Sequence, residues 1–406
     1  MQQQVSETRA EGLEDLVEWI ARIDPQACFE HRALASSLHQ RVDIEWLEDF
    51  LGTHEGQLDH LVKLYARGKP VDVPPRHAVP SQKRFVVSAL REGATAKIEQ
   101  LEHRQPDIAS LCLYLERRLQ VRTSAKVFVT PSGHAGYAPH LDHTDVLAIQ
   151  LRGRKRWTVF GRLEESPVFG MSRLMTAHEA GEDGWQVYMQ PGDVLHVAAG
   201  VGHTASCDDQ YSMHVTIGME PYTVYDVLKH RLYELALRAP QLRRRLSAGL
   251  DEDTLSRELL AGLNDLERQL MIGGEARATV AHVRRAYESA RPICAGSEVR
   301  AALLPSNTGK LLVRVNAWRN CEVLEEADRI RLYASGTVVG PIPLAAPSLT
   351  LPAYTKADVL GMLAAREPTP LAELPGALDI SSRSKLACAL AEFGVVEVLG
   401  LGEQVC

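Results

Sequence analysis

The chain has 406 residues, 45% hydrophobic and 24% charged, a mix that excludes wholly disordered and fibrous classes. A net charge of −7 argues against a protein built around wholesale nucleic-acid binding, which draws its affinity from a basic surface. Seven scattered cysteines without a CxxC pair make a disulfide framework or a structural zinc site unexpected and suit a reducing cytoplasm.

Met1 to Asp15 is polar and acidic, so no signal peptide is expected, and no apolar run approaches the ~18–20 residues of a membrane span. A cytoplasmic protein of two or three domains is the expectation, at ~150 residues per domain. Residues 1–82 read as a mostly helical segment. Leu13, Leu16, Val17 and Ile20 fall at helical spacing, as do Ile44, Leu47 and Leu51, and the Pro-containing stretch from Lys69 to Pro80 reads as a loop. Residues 83–220 change character. Short β-rich runs (Lys126–Val129, Val146–Leu151, Trp157–Phe160, Val194–Val197, Ser212–Ile217) alternate with Gly, Pro and Asp turn signals, as in a sandwich or barrel.

Residues 221–295 return to helix. Thr223 with Asp226 has the form of a capping box. Leu255, Leu259, Leu263, Leu266 and Leu270 form a stripe that suits either a homodimer interface or packing within the chain. Residues 296–406 read as a winged-helix-like domain: helices over Lys356–Arg366, Pro370–Leu374 and Ser382–Phe393, then a strand over Val395–Leu399. Nine Lys/Arg against eleven Asp/Glu in residues 301–406, with only Arg383 and Lys385 on the candidate third helix, favour packing or protein interaction over duplex DNA binding. The fold class is α+β.

The chemistry concentrates in Thr130–Phe160. His140-Leu141-Asp142 is an HxD triplet, and residues i and i+2 of a strand share one face, so an imidazole and a carboxylate can hold one metal ion. The motif alone does not decide, because chance gives about two such triplets here and two occur, the second being His143/Asp145. Context comes from Pro191–Ser206. Gly192, Asp193, Gly200 and His203 resemble the second cupin motif, G-D-x4-P-x-G-x2-H, with Ala198 in place of the proline. Two histidines and one carboxylate form the facial triad of non-haem Fe(II) oxygenases. Arg152–Trp157 reads as a turn and a returning strand. Lys155 at its start is either part of a solvated hairpin tip or an inward cation that binds the distal carboxylate of a dicarboxylate cosubstrate.

The segment resembles the JmjC (Jumonji C) cupin-type oxygenases, specifically those that hydroxylate ribosomal proteins. Thr130, Pro131, Gly136, Pro139, His140 and Asp142 meet T-P-x4-G-x2-P-H-x-D; Gln150, Leu151, Gly153, Arg154, Lys155 and Trp157 meet the following Q-L-x-G-R-K-x-W. Met213-His214-Val215-Thr216 also fits, whereas Gly133 stands where an asparagine is frequent and Cys28–Gln40 lacks a Trp/Lys/Pro-rich stretch. The resemblance covers about 90 residues in detail. It implies a double-stranded β-helix (jelly-roll) barrel, a helical dimerisation region and a C-terminal winged helix. It also implies Fe(II) on His140, Asp142 and His203, with 2-oxoglutarate anchored by Lys155 and O2 as co-reactant. Of the two triplets, only His140/Asp142 matches the pattern in its Pro139 context and its spacing to Lys155. Tyr137 is a candidate hydroxyl donor to the cosubstrate, although on a continuous strand it would face away from His140. His214 is placed either near the metal or in a core or surface role; His134 and His196 are read as structural or solvated.

The activity so implied is hydroxylation of a protein or peptide side chain, with a ribosomal protein as a candidate substrate. The alternatives are tailoring of a peptide natural product or small molecule, and, from another class, a non-catalytic cupin that binds a ligand or partner.

Overall fold

The computed structural model describes residues 5–6, 13–24, 27–33, 42–181, 183–208, 210–238, 240–243, 251–270, 280–281, 285, 303, 310–316, 321–334 and 348–401. The chain divides into two compact units, Met1–Pro221 and Tyr222–Cys406.

The first unit holds a nine-stranded and a five-stranded sheet. The barrel strands alternate between them, except that Lys155–Arg162 and Trp185–Met189 are consecutive barrel strands paired in the small sheet. Val121–Thr130, Asp145–Arg152, Asp193–Val197 and Ser212–Pro221 lie in the large sheet; His140–Leu141, Lys155–Arg162, Trp185–Met189 and Val201–Ser206 lie in the small one. Both sets pair antiparallel, with Ser212–Pro221 between Val121–Thr130 and Asp145–Arg152, and Val201–Ser206 between His140–Leu141 and Lys155–Arg162. This is the double-stranded β-helix expected from the sequence.

Side-chain alternation explains the layers. Along Val121–Thr130, Ala125, Val127 and Val129 pack outward into a core shared with Leu111 and Leu115 of the helix Pro106–Leu119, while Lys126, Phe128 and Thr130 line the space between the sheets. Asp145–Arg152 is apolar on nearly every residue because both its faces are covered. Leu147, Ile149 and Leu151 belong to the outer core, and Val146 and Ala148 to the core between the sheets.

The segment read as mostly helical, 1–82, requires a correction. Its helices Leu13–Ile20 and Ile44–Thr53 are accompanied by strands Phe29–Ala33, Val62–Ala66 and Lys69–Asp72, all part of the nine-stranded sheet. Phe29–Ala33 pairs with Asp193–Val197 at one side of the barrel sheet, and Thr95–Ile98 carries Val62–Ala66 at the other. Both additions cover edges that would otherwise expose unpaired backbone groups. The expected loop Lys69–Pro80 therefore begins as a strand.

The second unit opens with the helix Val224–Arg238, capped as expected. Asp226 Oδ2 accepts from Thr223 N (3.1 Å) and Oγ1 (2.6 Å), and Asp226 N donates back to Thr223 Oγ1 (3.2 Å). Leu255, Leu259 and Leu263 are exposed on the helix Glu252–Leu270, and the side chains of Leu266 and Leu270 lie outside the described residues. Helices Lys356–Ala364 and Ile380–Glu392 and the strand Val396–Leu401 match expectation, but Leu371–Glu373 is only a 3-10 turn. Unforeseen are the strands Leu311–Val315, Cys321–Glu325, Arg329–Ala334 and Ser348–Pro352, in two three-stranded sheets. Arg383 is buried. It donates to Asp358 Oδ1 (2.9 Å) and to the carbonyls of Leu371 (2.9 Å) and Leu374 (2.8 Å), so it is a structural ion pair rather than a phosphate contact.

Candidate metal centre

His140, Asp142 and His203 offer ligand atoms that all lie within 4.8 Å of one another. His140 and His203 are register partners on neighbouring strands, with ring centroids 4.4 Å apart. Asp142 Oδ2 lies 3.7 Å from His140 Nε2 and 3.8 Å from His203 Nε2. Each imidazole meets a backbone carbonyl through Nδ1, Ala138 O at 2.9 Å for His140 and Val201 O at 3.1 Å for His203. A carbonyl only accepts, so Nδ1 carries the proton and Nε2 turns its lone pair toward Asp142. Two such nitrogens and a carboxylate fit Fe(II), and the carbonyls fix the tautomer from behind.

Local backbone geometry sets these positions. Gly200 has φ +75°, and a Cβ there would lie 2.0 Å from Glu164 O, so the turn before His203 accepts only glycine. The pairing register then shifts between Val201 and His203. Gly200 N donates to Asp142 O at 2.9 Å, tying the turn to the backbone of the carboxylate.

Burial, then the neighbouring His140, pulls His203 down to about 4, so its imidazole is neutral and free to ligate at pH 7. Burial acts to raise Asp142, but His203, His140 and Lys126 outweigh it and the carboxylate sits below its ordinary value.

The second triplet falls elsewhere. The His140–Leu141 strand ends and the chain crosses to the large sheet, where Asp145 begins the next strand. Asp145 Oδ1 accepts from Ala199 N (2.7 Å), and its Oδ2 lies 4.0 Å from His196 Nε2. His143 is turned to Ser172, whose Oγ lies 2.9 Å from its N and 2.7 Å from its Nδ1. Buried His196 and exposed His134 stand apart from the triad, as expected.

A cavity of about 130 Å³ adjoins the triad. Lys155, 2% exposed, reaches into it from the small sheet. Its Nζ donates to Thr130 Oγ1 at 2.7 Å and lies 3.7 Å from Cys207 Sγ, with no carboxylate within ion-pair distance among the described residues. Burial lowers its pKa, the mark of an ammonium that lacks a counter-charge. Gly153, at φ +62°, makes the preceding turn; a Cβ there would sit 1.7 Å from Tyr211 O.

Tyr137 lies on the cavity side, contrary to the continuous-strand expectation, because the chain becomes a strand only at His140. Its ring is 5.0 Å from that of His140, and its hydroxyl donates to Tyr65. Burial and the Tyr65 contact raise its pKa, so the phenol stays protonated. His214 also lines the cavity, stacked on Phe128 at 5.0 Å, and burial and then Lys155 hold it neutral.

The sequence reading gave no site role to the lining residues Thr95, Lys97, Lys126 and Phe128, and named Thr130, Trp157 and Thr216 only as motif matches. The readable signal was the phase of Lys126, Phe128 and Thr130, which share one face of a strand. Lys97 is paired with Glu99 at 2.8 Å and lies over the rings of Tyr65 and Tyr137. Burial, then Lys97, lowers Lys126, with Asp142 and Glu99 acting to raise it.

Residues 100–227 match the family described as the JmjC domain. The chain carries a JmjC domain. Over 147 residues, 36% of this chain, it is 31% identical to the bifunctional lysine-specific demethylase and histidyl-hydroxylase NO66 of Dictyostelium discoideum. Over 201 residues, 48% of this chain, it is 25% identical to ribosomal oxygenase 1 of Rattus norvegicus. These matches span only 28% and 33% of the relatives' own lengths. The JmjC domain and its flanks share a fold with the X-ray structure of Escherichia coli ycfD, at 14% identity and a TM-score of 0.52 over 96% of this chain and 98% of that one. The YcfD structure in complex with cobalt and succinic acid gives a TM-score of 0.50 at 15% identity, covering 94% and 98%.

Proposed function

We propose that the chain is an Fe(II)- and 2-oxoglutarate-dependent dioxygenase that hydroxylates a side chain of a protein or peptide. The observation that carries this reading is the pairing of an open His140–Asp142–His203 triad with a buried lysine that has no carboxylate partner in the same cavity. His140, Asp142 and His203 would hold the iron, leaving positions for the cosubstrate and O2. Lys155 and the Thr130 hydroxyl would bind the distal carboxylate of 2-oxoglutarate. The bound iron and cosubstrate supply the chemistry in which O2 oxidises 2-oxoglutarate to succinate and CO2 while a substrate C–H becomes C–OH. Tyr137 remains protonated beside His140, and its hydroxyl would turn from Tyr65 to the cosubstrate. Neutral His214 closes the cavity behind Lys155 without adding charge.

A protein substrate is supported by the names of the relatives, a histidyl-hydroxylase and a ribosomal oxygenase. The finer reading of the second unit belongs here as well. Residues 221–295 form a homodimer interface and residues 296–406 a winged-helix-like domain, supported by the exposed Leu255, Leu259 and Leu263 and by the two C-terminal helices.

Anaerobic titration with Fe(II) and 2-oxoglutarate tests the activity. A weak visible charge-transfer band is expected, followed on admission of O2 by succinate formation. Absence of both returns the chain to the non-catalytic cupin reading.

A further inference from the structure

The triad cavity continues into a second cleft of about 250 Å³, and the two share Lys126, Asp142, Val146 and Thr216. The Val121–Thr130 strand measures their separation. Thr130, which accepts from Lys155, and Lys126 are four residues apart on one face, so their Cα atoms lie roughly 13 Å apart with Phe128 between them. Lys155 lines only the first cavity, whereas Lys126 lines both. Lys155 therefore serves the cosubstrate end and Lys126 stands where the second cleft meets the metal ligands.

The cleft is lined by neutral polar groups and by four charged ones, Arg122, Lys126, Asp142 and Glu220. Ser124, Thr144 and Thr216 contribute hydroxyls, and Phe169, 81% exposed, leans edge-on against His143 at the rim. Gly218 keeps it open, since a Cβ there would come within 3.3 Å of both Ser124 Oγ and Thr144 Oγ1. Arg122 and Glu220 offset each other at 3.9 Å. Lys126 is different. Among the described residues its ammonium has neither a hydrogen bond nor a carboxylate within ion-pair distance, whereas nearby Lys97 is paired with Glu99. A divalent ion, Asp142, Lys155 and a dianionic cosubstrate cancel among themselves. The charge on Lys126 is then left uncompensated at the mouth of the reaction site, facing whatever enters the cleft.

Resting on the oxygenase reading above, we propose that Lys126 selects the substrate: the cleft takes a polypeptide residue whose side chain ends in a carboxylate or carboxamide oxygen and rejects lysine and arginine. An acceptor oxygen satisfies the ammonium as it loses water, whereas a second cation meets a like charge in a partly desolvated site. The recognised group is thus the carbonyl-type oxygen common to aspartate, glutamate, asparagine and glutamine, presented on an extended segment that lies against the cleft hydroxyls.

The test uses the full chain and random-flank peptide pools that differ only in a fixed central residue: Asp, Asn, Leu, Arg or Lys. Metal and 2-oxoglutarate binding are measured first in wild type and in the Lys126→Met and Lys126→Glu variants; failure in wild type defeats the oxygenase reading itself, and failure in both variants alone overturns the assignment of Lys126 to substrate selection. With Mn(II) and 2-oxoglutarate bound under anaerobic conditions, pool binding is read as a ratio between pools, which cancels any general weakening in a variant. Wild type should prefer the Asp and Asn pools over the Arg and Lys pools by about tenfold or more, Lys126→Met should be level, and Lys126→Glu should invert the order. With iron and O2 the 16 Da gain should follow the same ranking. Charge-blind selection by wild type, a preference for Arg or Lys pools, an order unchanged in Lys126→Glu, or no pool bound by a protein that binds metal and cosubstrate would each overturn the proposal.

Discussion

Replacing Lys155 with methionine separates two effects of opposite sign. Methionine keeps most of the side-chain volume and removes the charge. In the cosubstrate-bound protein the ammonium would make a charge-assisted contact worth about 1.5–3 kcal/mol, so 2-oxoglutarate affinity should fall roughly ten- to a hundredfold. In the cosubstrate-free protein the same ammonium is buried with only Thr130 and Cys207 beside it, a costly arrangement. Lys155→Met should therefore leave the free protein as stable as wild type, or more stable by about 1–4 kcal/mol. The pH dependence has a definite sign. The folded pKa lies below the ordinary lysine value of 10.5, so between the two the unfolded chain binds more protons and wild-type stability rises with pH relative to the variant. Calorimetric titration of 2-oxoglutarate into Mn(II)-loaded protein, with melting curves across pH, reads both effects. Unchanged cosubstrate affinity would refute the assignment of Lys155. A strongly destabilised variant would refute the claim that its charge lacks a counter-charge.

Further outcomes follow from the other residues. His140→Ala and Asp142→Ala should each lose bound iron, by metal analysis, whereas His143→Ala should retain it because His143 is turned to Ser172. In the metal-free protein His203 at about 4, against an ordinary 6.5, means that stability is lost as pH falls through that window, by up to about 3 kcal/mol, and His203→Gln should flatten the acid limb of the stability profile. Arg383→Ala should lower the melting transition of the second unit, since a buried Asp358 left without its partner costs about 3–5 kcal/mol. Sedimentation at micromolar concentration should show a dimer, and a 44.8 kDa species throughout would reject the interface at residues 221–295.

Legibility followed the reach of the forces involved. Five of the eight barrel strands were readable because each carries its own alternation or apolar run, whereas Trp185–Met189 and Val201–Ser206 were not read as strands; the Thr223–Asp226 cap was readable because it closes within three residues. The flanking strands Phe29–Ala33 and Lys69–Asp72 were missed for the opposite reason. Phe29–Ala33 contains Glu30, His31 and Arg32 and shows no buried face of its own; it is a strand because Asp193–Val197 supplies its hydrogen bonds. In the C-terminal module, Arg383 looked like a surface charge on a candidate recognition helix. Only the fold reveals Asp358, 25 residues earlier, as its buried partner.

The two consecutive HxD triplets show where local reading stops. As a continuous strand, Pro139 to Asp145 would place His140 and Asp142 on one face and His143 and Asp145 on the other, and both pairs would remain geometrically sound. The structure breaks that strand after Leu141. The chain passes from the small sheet to the large one, and the crossover leaves Asp142 beside His203 while delivering Asp145 to Ala199 N and His196. The face-alternation argument therefore does not choose between the pairs; the crossover does. The same break places Tyr137 beside His140, because no strand geometry holds residues 137–139 in alternation. Here the chain changes sheets between His140–Leu141 and Asp145–Arg152, so the ligand-bearing segment is read correctly only once that change is placed between Asp142 and Asp145.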